Sequence, residues 1–143
     1  MSNLMKLPQW FFVVVLCALL IVGGCSAYLS RGTRVIGDFV SPDGTHDAVL
    51  MVRNGGAMTG YSTGISLVSH NPLTRQMALI KLMNLFVIDD NDGAVRLGVH
   101  GQIEVKIIWL SNSQLLVEYP AKARVYKQET SYQSTTVRYA ASL

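Results

Sequence analysis

The sequence predicts a mainly β fold, a small antiparallel sandwich or barrel-like domain, behind an N-terminal hydrophobic helix or signal segment. Three observations carry that expectation. Short runs rich in Val, Ile, Tyr and Phe alternate with turn chemistry. Only residues 73–85 give a mixed signal in which a helical turn competes with a strand. The one long uncharged run lies near the start, and the 143 residues leave room for a single ordinary domain behind it.

The first element is the N-terminal segment. Lys6 precedes thirteen uncharged residues, Trp10 to Val22, which are followed by Gly23, Gly24, Cys25 and Ser26. A short positive region, an apolar core and small residues at a boundary form the plan of a secretory signal peptide. Val22-Gly23-Gly24-Cys25 resembles the lipobox of bacterial lipoproteins, with Val22 in the aliphatic position and the glycines in the small ones. The resemblance implies cleavage before Cys25 and attachment there of diacylglyceryl and palmitate-type chains. Ser26 in the next position implies outer-membrane sorting, on the periplasmic face of a Gram-negative envelope. The other reading is an uncleaved helix in the inner membrane, because Trp10 to Leu29 is twenty residues without Asp, Glu, Lys or Arg, enough to span a bilayer. Residues 1–24 are therefore expected to be signal or anchor, 25–34 a linker, and 35–143 one β-rich domain.

Within the domain Val35–Val40 reads as a first strand, closed by Ser41-Pro42-Asp43-Gly44. Proline presets one backbone angle of that turn and glycine accepts the positive one. His46–Arg53 alternates as a half-buried strand, with Ala48, Leu50 and Val52 on one side. Asn54–Gly60 holds three glycines and suits a bulge or wide hairpin loop. Tyr61–Ser69 resumes an extended pattern up to Asn71-Pro72, and one short helical turn is allowed between Leu73 and Leu85. Leu85–Ile88 and Val95–Val99 are expected strands around the Asp89–Gly93 turn. Ile103–Leu110 and Gln114–Tyr119 form the best hairpin. Ala123–Lys127 and Tyr132–Tyr139 bring the total to about eight strands.

Charge and composition narrow the function classes. Lys6 is the only charged residue before Cys25, and beyond it eleven Lys and Arg, scattered singly, face nine Asp and Glu. That pattern lacks the basic face of a nucleic-acid partner. Both cysteines, Cys17 and Cys25, lie in the hydrophobic segment, so no disulfide staples the domain.

Gly60-Tyr61-Ser62-Thr63-Gly64 formally matches G-x-S-x-G, the nucleophile elbow, with Asp89, Asp90 or Asp92 and then His100 following in triad order. The residues after Ser62 read as a strand, whereas the elbow needs a helix, so a small hydrolase using Ser62 is the weakest reading and no catalytic residue is assigned. Asp89 to Gly93 suggests a calcium loop, but aligning Gly93 with the EF-hand glycine sets Ile88 and Val99 at ligand positions. His46, His70 and His100 lack metal-ligand spacing, and neither metal nor cofactor is expected. Trp109, Tyr119, Tyr126, Tyr132 and Tyr139 are read first as core and cross-strand packing, with a stacking face for sugar or peptide as the alternative.

The string SPDGTHDAVLMVRNGGAMTGYSTGISLV, with VKIIWLSNSQLLVEY later, resembles a family of small membrane-anchored bacterial proteins carrying a domain of unknown function. The resemblance covers roughly residues 37 to 119 and implies that Gly60–Thr63 belongs to a recurring β-domain motif. Gly56 stands where that pattern has cysteine, Met58 replaces threonine and Tyr61 replaces phenylalanine. The expected role is that of a non-enzymatic binding or structural module of the cell envelope, held at a membrane and meeting an envelope protein partner. Its candidate contact loop is Asn54, Gly55, Gly56, Thr59, Gly60, Tyr61 and Ser62, since loops carry recognition on β scaffolds. A toxin-immunity or phage-exclusion factor is the alternative binding role.

Overall fold

A computed structural model describes residues 11–17, 32–57, 59–81 and 83–142 of the chain. The chain divides into two compact units, Met1–Arg31 and Gly32–Leu143. In the first, residues 11–17 are helical and expose Phe11 to Leu16. No helix among the described residues is long and apolar enough to cross a membrane. Cys25, the lipobox around it and most of the expected signal segment lie outside the described residues.

The second unit is a mainly β, sandwich-like domain. Thr33–Val40 (β1), His46–Asn54 (β2), Tyr61–Ser69 (β3), Phe86–Asp89 (β4) and Arg124–Gln128 (β7) form an antiparallel sheet in the order β1-β2-β3-β4-β7. Lys106–Ser111 (β5), Gln114–Pro120 (β6), Ser131–Tyr132 (β8) and Thr135–Ser142 (β9) form the other, ordered β5-β6-β9-β8. The sheets keep separate strand orders, so the domain is a sandwich and not a closed barrel. Ala48, Leu50, Ile65, Leu67, Phe86 and Ile88 of the first sheet share one core with Ile107, Leu115, Val117 and Val137 of the second. Burial of this apolar layer is the main force holding the sheets together.

A short helix, Thr74–Lys81 (α1), covers the other face of the first sheet. There Ala78 and Met83 pack with Val49, Met51 and Val68 in a second core. Strand β2 is consequently buried on both faces from Asp47 to Val52, not half-buried as its alternation predicts. Five consecutive apolar residues, Ala48 to Val52, are the mark of a doubly covered strand. The helix starts where Thr74 Oγ1 donates to the Ser69 carbonyl at 2.7 Å and accepts the Asn71 N–H at 2.6 Å.

Turn chemistry behaves as expected. Gly44 has φ +69°, and the buried Ser41 hydroxyl accepts the backbone N–H groups of Thr45 and His46. Asn91, Asp92 and Gly93 are three successive left-handed residues. Other boundaries shift. β1 begins at Thr33, inside the expected linker. Residues 95–99 form no strand: the apolar alternation finds no ladder, only an isolated bridge of Leu97 to Ile103. The expected strand Tyr132–Tyr139 is instead the short hairpin β8–β9, turning at Gln133 with φ +53°. β6 and β9 pair in parallel, because the chain between them crosses to the first sheet as β7 and returns.

Candidate functional site

The β2–β3 hairpin projects the glycine loop. Asn54 and Tyr61 are the cross-strand pair that closes it. Gly55 N–H donates to the Gly60 carbonyl at 2.8 Å, and Gly56 N–H donates to Asn54 Oδ1 at 2.9 Å. Gly56 and Gly60 hold φ of +91° and +64°, conformations that side-chain-bearing residues rarely adopt. Of the candidate contact residues, Asn54 and Tyr61 line one cleft, and Thr59 and Gly60 line another. Gly55 and Gly56 line neither of these two clefts, and Ser62 sits in the sheet below.

The cleft on the Thr59 side, about 360 Å³, ends on a polar cluster at the sheet edge. The guanidinium of Arg124 in β7 grips Asp89 of β4 side-on, Nη2 to Oδ2 at 2.7 Å and Nε to Oδ1 at 3.1 Å. Tyr126 Oη donates to Asp89 Oδ2 at 2.7 Å and the Asn91 N–H donates to Oδ1 at 2.9 Å. Arg124 also reaches Asp92 at 3.4 Å and lies 5.5 Å from the centre of the Tyr126 ring. Burial pushes the Asp89 carboxyl up, but the bonds from Arg124, Tyr126 and Asn91 outweigh it and hold the acid below its ordinary value of 3.8. The hydrogen bond to Asp89 raises both Arg124 and Tyr126.

A carboxyl whose folded pKa lies below its unfolded value contributes stability above the unfolded value, and that contribution vanishes as pH falls through the folded one. The domain is therefore expected to lose stability as pH drops below 3.8, with Asp89→Asn flattening this part of the acid limb. Unfolding midpoints measured from neutral pH into that range check it, and an unchanged slope in the variant would refute it.

The cleft on the Tyr61 side is about 450 Å³. Arg34, on β1 opposite Val52, donates from Nη1 to His100 Nδ1 at 2.9 Å. The Tyr61 ring lies against Gly101, where a Cβ would collide with it. Gly32 packs as closely against the Asn54 carbonyl, and its own carbonyl accepts the Asn54 N–H at 2.8 Å.

The structure separates the residues of the formal triad. Ser62 is the second residue of β3 and pairs with Arg53 and Asp89 across a regular ladder, with no strand-to-helix elbow. His100 bonds to Arg34, while Asp89 is occupied by Arg124 and Tyr126. That occupation also opposes a cation at the Asp89–Asp92 turn, since a guanidinium already bridges the two carboxylates. His70 pairs with Asp47 at 2.8 Å and His46 bonds Thr45, so the three histidines serve three different places. Among the described residues no group of three His, Cys, Asp or Glu could hold a metal.

The aromatic residues behave mostly as core. Phe86 meets the rings of Tyr119 and Tyr139 at 5.1 Å each, and Trp109 Nε1 donates to the Phe39 carbonyl at 2.9 Å. Burial raises the Tyr139 hydroxyl above its usual range. Tyr126 stands apart, 61% exposed on the cleft. Arg34 and Arg124 are the site residues that no sequence motif marks, and His100, a triad and metal candidate by sequence, enters the site through Arg34 instead. The partners of the two arginines lie 66 and 35 residues away, so no local pattern joins them.

No protein-family model matches the chain, and neither do curated proteins or solved structures.

Proposed function

We propose that this chain is an envelope protein held to a membrane by its N-terminus, with a lipid on Cys25 as the favoured tether. Its β-domain acts by binding another envelope component, not by catalysis, through the surface around the 54–62 loop. The supporting observation is the concentration of recognition chemistry at one end of the first sheet. A hairpin loop with two left-handed glycines is flanked by an Arg–His cleft and by an Arg–Asp–Tyr cluster. The serine of the hydrolase-like string lies in a regular strand paired with Arg53 and Asp89, which supports recognition over acyl transfer.

Two measurements test the reading. Mass analysis of the purified protein is expected to find Cys25 as an acylated N-terminus, and Cys25→Ser is expected to abolish palmitate incorporation. Retention of residues 1–24 would assign the uncleaved inner-membrane helix instead. Affinity purification of the tagged chain from crosslinked envelopes is expected to recover one stoichiometric partner. Recovery of background alone, together with a hydrolytic activity lost in Ser62→Ala, would overturn the binding role. A partner supplied by an incoming toxin or phage would identify it as immunity or exclusion.

A further inference from the structure

We infer that the cleft between Arg34, Asn54, Tyr61 and His100 is a phosphate-binding site, an inference that rests on the binding role proposed for this surface. Among the described residues, those lining the cleft include Arg34 and His100 and no Asp or Glu. A guanidinium is always charged and only donates. Its bond to His100 at 2.9 Å therefore makes Nδ1 the acceptor and leaves the ring proton on Nε2, a further donor. Asn54 Oδ1 is taken by the Gly56 N–H, so the amide end that remains is the NH₂ group, again a donor. Tyr61 lines the same cleft and carries a hydroxyl that can donate as well.

A lining rich in donors, around one fixed positive charge and without a carboxylate among the described residues, favours an oxyanion. The four side chains come from β1, the β2–β3 hairpin and the 98–102 segment, three separate stretches of chain. Such an arrangement fits a group presenting oxygens in several directions, as phosphate does, better than the two coplanar oxygens of a carboxylate. The larger cleft of about 690 Å³ along residues 96–105 contrasts with it, because its lining holds the carboxylate residue Glu104 as well as Arg96. The walls are also set in place: a side chain at Gly101 would displace Tyr61, and one at Gly32 would strike Asn54. Val99 lines the same cleft and is 96% exposed, an apolar rim beside the charge. Phosphate on a soluble ester and phosphate in a lipid headgroup share this chemistry.

The test uses the full chain in zwitterionic detergent micelles with ¹⁵N-labelled histidine. Inorganic phosphate, glycerol phosphate and acetate are titrated in, and separate micelles are doped with phosphatidylglycerol. The His100 ring resonances are expected to shift saturably with phosphate, while those of His46 and His70 stay in place. Arg34→Gln is expected to weaken the response about tenfold or more, Tyr61→Phe less, and Arg138→Gln on the second sheet not at all. A response to soluble phosphate assigns a free ester, and one confined to phosphatidylglycerol assigns the headgroup. Silence toward every phosphate probe up to ~20 mM, an equal response to acetate, or a response indifferent to Arg34→Gln overturns the site. If a crosslinked envelope partner survives that result, only the phosphate assignment falls.

Discussion

Replacing Phe86 by alanine is expected to lower the unfolding free energy by about 3–5 kcal/mol, the usual cost of emptying an aromatic site in a packed core. Phe86 has no exposed surface and belongs to the apolar layer shared by both sheets. Tyr119 of β6 and Tyr139 of β9 each bring a ring to 5.1 Å of it, so its removal strips contacts from two strands of the opposite sheet. Those tyrosines cannot simply close the gap, because Tyr139 is tied by its hydroxyl to the Glu129 carbonyl at 2.7 Å. The loss reaches the candidate site as well, since β4 carries Asp89 three residues beyond Phe86. Urea unfolding of the full chain in detergent should show a lower midpoint with an unchanged slope. A loss below about 1 kcal/mol would mean that the sheets are not held through this residue.

How far the sequence foretells this structure depends on the range of the interaction. Ser41 to Gly44 was legible because a turn is decided by its own four residues: proline, an aspartate accepting from Ser41 and Thr45, and a glycine at positive φ. The same holds for Asp89 to Gly93 and for the β5–β6 hairpin turning after Ser111. Residues 95–99 failed for the converse reason. Alternation shows that a segment could be a strand, whereas a ladder needs a neighbour, and Leu97 alone finds one. The parallel pairing of β6 with β9 is set by a crossover no local pattern encodes. In the site, the hairpin loop was visible as a glycine cluster, but its chemistry was not. Arg34 looked like linker until the register opposite Val52 brought it beside the base of the loop, within reach of His100.

The hydrolase-like string yields the second large effect, and it falls on the glycine in place of the serine. Gly64 faces α1 between its cross-strand neighbours Met51 and Val87, and Met83 fills the slot its missing side chain leaves. A Cβ there would stand 2.5 Å from both Cγ and Sδ of Met83 and 2.8 Å from its Cβ. Met83 has little room to retreat. It is 6% exposed, and its own φ of +56° fixes the chain where it leaves α1. Gly64→Val is therefore expected to destabilise the domain by about 1–3 kcal/mol through overpacking, and more if Met83 is expelled to solvent. Ser62→Ala, two residues away on the same face but beyond the helix, is expected to stay within about 0.5 kcal/mol of wild type and to keep the crosslinked partner. Unfolding midpoints and partner recovery, read on both variants, separate the two meanings of the motif. A folded Ser62→Ala protein that keeps the partner but loses a hydrolytic activity of the wild type would restore the nucleophile. A neutral Gly64→Val would show that the second glycine is not there to admit Met83.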